Sequence, residues 1–196
     1  NMIFVEHRYF LESTPEPCDW QYLTAENSAE DLHAVTTAFK TLYPGKWIST
    51  GISKGGQTSL LYRVFFPDDV DVSVPYVAPL CYAREDGRHE PFLRRVGTEA
   101  DRKKIEDFQL EVLKARLLPR FEKMCTEKNY TFRAPLEEIY DFCVLEYSFS
   151  IWQWGTDIRS IPETSASDDT LLDHLLAISG PSYFIVDSPN LSFFVQ

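Results

Sequence analysis

The sequence predicts an α/β protein, part of a parallel sheet followed by a mostly helical region, and three observations carry that expectation. Apolar β-type runs alternate with helical periodicity in the order β-α-β-α-β through residue 77, the mark of a parallel sheet with helical crossovers. The string Gly51-Ile52-Ser53-Lys54-Gly55-Gly56 lies between a β-type run and a helical one, where a G-x-S-x-G turn would hold a serine on a strained strand-to-helix bend. From Arg84 onward the chain becomes charged and helical in character.

The elements follow in order. Residues 2–10 contain Ile3-Phe4-Val5 and end in the polar cluster Glu6-His7-Arg8, so they are expected to form a strand. Pro15 and Pro17 make residues 12–20 an irregular loop. Thr24–Leu42 reads as a helix with Thr24 or Ser28 as N-cap, early acids at Glu26, Glu30 and Asp31, and apolar residues at Leu32, Val35, Phe39 and Leu42. Pro44-Gly45 stops it, Trp47–Ile52 is the next strand, and Gln57–Phe66 is the helix after the serine. Val70–Val77 alternates and is β-branched enough for a third strand. Beyond it, Thr98–Cys125 reads as helix with Ile105, Phe108, Val112 and Leu117 among many charges. Leu136–Trp154, rich in aromatics, and Asp168–Ile178, with Ser167 as N-cap, complete the helical set.

Composition narrows the function. A chain of 196 residues, 44% hydrophobic, can bury one substantial core. Its net charge of -11 would repel a nucleic acid over most of the surface. No apolar run approaches the roughly 18 to 20 residues of a membrane span. Cys18, Cys81, Cys125 and Cys143 form no C-x-x-C pair, and His7, His33, His89 and His174 show no metal-ligand spacing, so no metal is expected. Whether the cysteines form disulfides is left open by their spacing.

A helical block inserted after the strand that follows an elbow helix is where α/β-hydrolases carry a lid or cap. Residues 1–83 are therefore expected to belong to an α/β-hydrolase catalytic sheet, and residues 84–196 to a helical cap. In that fold the run at 2–10 would be the fourth strand of eight, Trp47–Ile52 the fifth and Val70–Val77 the sixth. The chain starts at Asn1 and runs at once into Ile3-Phe4-Val5, so it is expected to be a piece of a longer protein, with the first three strands outside it.

Glu6-His7-Arg8-Tyr9-Phe10, Trp20-Gln21-Tyr22-Leu23-Thr24, the segment Gly45 to Thr58 and Pro67-Asp68-Asp69-Val70-Asp71 carry a resemblance to a known family. Over residues 2–82 the chain resembles the bacterial secreted tripeptidyl aminopeptidases that prefer proline, serine peptidases similar to prolyl carboxypeptidases and dipeptidyl peptidases. The likeness continues more thinly in Ser179 to Phe184 and Pro189-Asn190-Leu191. Lys54 stands where the carboxypeptidase relatives have tyrosine, and Phe10-Leu11 where they have tyrosine-glycine, which favours the aminopeptidase branch. The resemblance implies a cofactor-free, secreted or periplasmic enzyme. It would release short units from peptides with a free amino terminus by a Ser-Asp-His triad, whose Asp and His would follow the cap, beyond Gln196.

Ser53 is the candidate nucleophile, with an ordinary turn serine as the alternative. The backbone N–H of Lys54 is the candidate oxyanion donor, since it opens a helix. Tyr9 is a candidate for the substrate pocket, whereas Glu6, His7 and Arg8 are expected to hold loops together. Trp152 and Trp154, with Tyr147 and Phe149, would line a pocket for a proline ring, and Glu146 would pair with the substrate ammonium; a helix packing its aromatic face into a core is the alternative. A triad within this chain would need Ser53, one of Asp168, Asp169 or Asp173, and His174. Asp173 and His174 are neighbours on a helix and point to different sides, which argues against it. An esterase of the same fold, or a non-catalytic peptide-binding remnant, are the rival readings.

Overall fold

The computed structural model describes residues 1–83, 86–114 and 117–186. Among them the chain is a mixed α/β protein with seven α-helices and one two-stranded parallel sheet. It divides into two compact units, one within Asn1–Arg84 and one within Glu85–Ser188.

The first unit is built on β1 (Ile48–Ile52) and β2 (Val72–Tyr76), paired in parallel with Ile48 opposite Val72 and Ile52 opposite Tyr76. Helix α1 (Ala25–Lys40) precedes β1, and α2 (Lys54–Phe65) joins β1 to β2. Of the two N-cap candidates, Thr24 takes the role: its side chain accepts from the Asn27 N–H. Helix α2 starts immediately after Ser53, three residues earlier than the periodicity suggested, because glycines at its first turn give no apolar signal. The core here is small: Ala29, Tyr62 and Val70, with Leu32, Trp47 and Phe66 packed against them.

The strand expected at residues 2–10 does not form among the described residues. A strand exists only by pairing, and the partner that β1 takes is β2. Residues Asn1–Val5 instead face Ile48–Thr50 across a cavity of about 860 Å³. They keep a strand-like alternation, with Met2 and Phe4 exposed and Ile3 and Val5 half-buried. Ile48, Ile52, Val72 and Tyr76 share one face of the sheet by register and are exposed, a bare apolar surface of the kind that a sheet covers when it is completed.

Asp69 ties the helices of this unit together. The Tyr62 hydroxyl donates to Asp69 Oδ2 at 2.7 Å and shares a second hydrogen bond with Thr36 Oγ1 at 2.8 Å. His33 Nδ1 lies 2.6 Å from the same carboxylate oxygen, and its ring stacks on Phe66. Asp69→Ala leaves the Tyr62 hydroxyl, on a residue only 3% exposed, without its carboxylate; urea unfolding should show a loss of about 1–3 kcal/mol, and an unchanged midpoint would refute the tie.

The second unit holds α3 (His89–Leu93), α4 (Glu99–Val112), α5 (Leu118–Glu127), α6 (Leu136–Gln153) and α7 (Asp168–Ser179). The single helix expected over Thr98–Cys125 is two, with Pro119 in the first turn of the second. The α4 N-terminus is a capping box between Thr98 and Asp101, and Ser167 caps α7 as expected. The core gathers Phe108, Val112, Leu117, Phe121, Cys143, Val144, Tyr147, Ile151, Leu171 and Leu175, all 1% exposed or less. All four thiols are free, and burial pushes Cys143 up to about 12 and Cys125 up to about 11, so neither is a thiolate near neutrality.

His174 sits at the edge of this core, its Nε2 3.0 Å from the Tyr147 hydroxyl and its ring edge-on to Phe108. Burial, helped by Lys104, lowers its pKa. Its folded value lies below its unfolded one, so the stabilisation is complete above about pH 6.5 and is lost as pH falls through that value and below it. The melting temperature should therefore fall between pH 7.5 and pH 5. His174→Gln should flatten that slope in part, because the similarly lowered His7 retains its share; an unchanged slope would refute the assignment.

Candidate active site

Ser53 lies in the left-handed region at φ 56°, ψ -119°, between the end of β1 and the start of α2. A residue with a Cβ avoids that conformation, and holding it there costs on the order of 1–3 kcal/mol. Two backbone hydrogen bonds hold the bend: the Ser53 N–H donates to Tyr76 O at 2.9 Å, and its carbonyl accepts from Gln57 N at 3.0 Å. The turn is therefore clamped between the end of β2 and the first turn of α2. The Ser53 side chain makes no capping bond and the residue is exposed.

The glycines explain how the chain fits. A Cβ on Gly51 would lie 2.3 Å from the backbone carbon and oxygen of Gly55, and one on Gly56 would lie 2.7 Å from Tyr76 O. A Cβ on Gly55 would meet nothing within 4 Å. The steric demand thus falls on Gly51 and Gly56 and not on the second glycine of the G-x-S-x-G string, because Gly56 is the position that α2 turns toward β2.

Lys54 is the first residue of α2, so its backbone N–H is among those that an α-helix leaves without an internal acceptor. Its side chain is half-buried, and burial lowers its pKa. His7 lines the same cavity as Gly55 and is itself half-buried. Its pKa is lowered by burial first and by the Lys54 charge second, with Asp31 acting in the opposite direction. Arg8 grips Asp31 through two hydrogen bonds of 2.6 and 2.8 Å and donates to Tyr22 O, while Glu6 accepts from the Ser13 hydroxyl at 2.8 Å. Glu6 and Arg8 thus tie the loop before α1 to its surroundings, as expected of them.

Tyr9 is 5% exposed, stacks on Trp20, and donates its hydroxyl to the Asp19 carbonyl. That leaves the hydroxyl committed to the fold rather than open to a ligand. Glu146, Trp152 and Trp154 belong to the second unit. Trp152 packs over Gly97, where a Cβ would lie 2.3 Å from its ring, and Glu146 accepts from Ser150 Oγ at 2.9 Å. Trp154 is 67% exposed. Of the residues a triad within this chain would need, His174 is engaged with Tyr147, and Asp168 and Asp169 with Arg120. The closeness of His7 to the elbow and the Asp69 tie carry no sequence signal, since both join residues far apart in the chain.

The chain matches the profile of PS-10 peptidase S37 over residues 1–190. It belongs to the S37 peptidase family. It is 36% identical over 187 residues to the prolyl tri/tetrapeptidyl aminopeptidase of Streptomyces mobaraensis, covering 92% of this chain and 39% of that protein. The S37 chain thus spans about two-fifths of the length of the curated relative it matches. No solved structure matches it. Among the described residues no helix is long and apolar enough to cross a membrane, and no group of three or more His, Cys, Asp or Glu could hold a metal.

Proposed function

We propose that this S37 chain carries the nucleophile of a serine peptidase that releases short, proline-preferring units from the free amino termini of peptides. The observation that carries the reading is Ser53 at φ 56°, exposed on a bend between β1 and α2, the position that an elbow serine needs. The substrate class is that named for the Streptomyces relative.

In this reading residues 1–83 are part of an α/β-hydrolase catalytic sheet and residues 84–196 its helical cap. Ser53 Oγ attacks the scissile carbonyl carbon while a histidine takes the hydroxyl proton, and the carbonyl becomes an oxyanion held by the Lys54 N–H. The tetrahedral intermediate collapses, the C–N bond breaks, and the histidine gives its proton to the leaving amine. Water then hydrolyses the acyl-enzyme by the same route. The family resemblance puts that histidine and its aspartate later in the protein, and makes the enzyme secreted or periplasmic. Glu146, Trp152 and Trp154 are candidate contacts for the substrate ammonium and the proline ring.

The test is intact mass of the whole natural protein before and after a fluorophosphonate probe, with peptide mapping, alongside turnover of Xaa-Xaa-Pro amides. The expected result is one adduct at Ser53 and cleavage that N-acetylation of the substrate abolishes. Ester turnover indifferent to a free amine would support an esterase instead, and an unlabelled protein would leave a binding domain.

A further inference from the structure

The end of β2 holds a second strained residue beside Ser53. Val77 follows β2 at φ 42°. Among the five described non-glycine residues at positive φ it is the one that is β-branched, and a branched side chain tolerates that backbone least. Its two neighbours hold it there. The Tyr76 carbonyl accepts the Ser53 N–H at 2.9 Å, and the Ala78 Cβ lies 3.1 Å from where a Cβ on Gly56 would stand, against the first turn of α2. A carbonyl oxygen and the following Cα lie on the same side of a trans peptide, so that hydrogen bond places the Val77 Cα within about 6 Å of the Ser53 nitrogen. The Val77 side chain belongs to a residue 79% exposed, so packing of its methyls inside the fold does not offset the strain.

We propose that Val77 is a specificity-determining residue of the peptidase site, a wall against the side chain of the substrate residue whose carbonyl Ser53 attacks. The inference rests on the peptidase reading above. Ligands of a parallel α/β sheet bind beyond the carboxyl ends of its strands, and Ser53 and Val77 are the residues that leave the carboxyl ends of β1 and β2. The side chain of the attacked residue branches one bond from the carbonyl carbon, so it is held beside Ser53, where Val77 stands. Valine offers an apolar surface that is stiff about χ1, which fits a compact apolar ring such as proline and excludes a bulkier one. Backbone strain is retained at functional positions where it aims a side chain that a relaxed turn would direct elsewhere.

The experiment measures kcat/KM of the whole natural protein on two tripeptide anilides that share a leaving group and differ only in the attacked residue: Xaa-Xaa-Pro, and its pipecolic acid homologue, whose ring is one methylene larger. Wild type, Val77→Ala and Val77→Gly are compared. The wild type should favour the prolyl substrate, and both variants should lower the prolyl-to-pipecolyl ratio about tenfold, the scale of discrimination for one methylene. A merely structural role would slow both substrates alike and leave the ratio at its wild-type value, which overturns the inference. Val77→Gly adopts positive φ freely and should melt above Val77→Ala, which keeps a Cβ; equal melting temperatures would remove the strain and overturn the inference too. Because glycine is unstrained here, the ratio can be read even if the Ala variant does not fold. Failure of the peptidase reading is a separate outcome: a wild type that a fluorophosphonate leaves unlabelled, or that cleaves no Xaa-Xaa-Pro anilide.

Discussion

Alanine at position 53 is expected to lower kcat/KM of the whole peptidase by about ten-thousandfold to a millionfold, the range for removal of a triad serine. It should also abolish fluorophosphonate labelling. Stability should barely change, because Ser53 is exposed and its side chain makes no capping hydrogen bond. Alanine also keeps a Cβ, so it retains the strain of φ 56°. Glycine at the same position should be equally inactive yet more stable by about 1 kcal/mol, since it adopts positive φ freely. Loss of activity together with a gain of stability is the result a functional strained residue predicts. If Ser53→Gly neither stabilised the fold nor silenced it, Ser53 would be a turn residue and the nucleophile would lie elsewhere.

The second large effect concerns folding. Gly51→Ala puts a Cβ 2.3 Å from the carbonyl carbon and oxygen of Gly55, and these are backbone atoms that no side-chain rotation can move aside. Either β1 or the first turn of α2 must shift, breaking the clamp in which Ser53 N–H meets Tyr76 O. A destabilisation above about 4 kcal/mol is expected, enough to unfold the first unit, whose apolar core is small. Gly55→Ala is the matched control, since its Cβ meets nothing within 4 Å. In a helix that change should be neutral or stabilise by up to about 1 kcal/mol. Urea unfolding followed by tryptophan fluorescence separates the two, and equal midpoints for both variants would sink this account of the turn.

Much of this was legible in the residues. The order helix, strand, helix, strand from Thr24 to Tyr76 follows from apolar periodicity and from the stops at Pro44-Gly45 and Pro67. The caps at Thr24 and Ser167 follow from residue type. These features depend on neighbours a few positions apart, and so a linear reading finds them. Residues 2–10 read as a strand because Ile3-Phe4-Val5 has the composition of one, yet no strand forms there, since pairing depends on what lies beside the segment. The division of Thr98–Cys125 into two helices was missed because apolar spacing continues across the break.

At the site, the sequence by itself determined the family to which the chain belongs and singled out Ser53 as the residue on the strained turn, since such a turn restricts which residue types can occupy it. Only the tertiary structure decided which glycine is sterically required, where Tyr9 directs its hydroxyl, and that His7 stands by the elbow while Asp69 joins α1 to α2. The physical reason is range. Backbone sterics and capping act within a turn of chain, whereas burial, hydrogen-bond satisfaction and the field at a charged group are set by residues that folding brings together from distant positions.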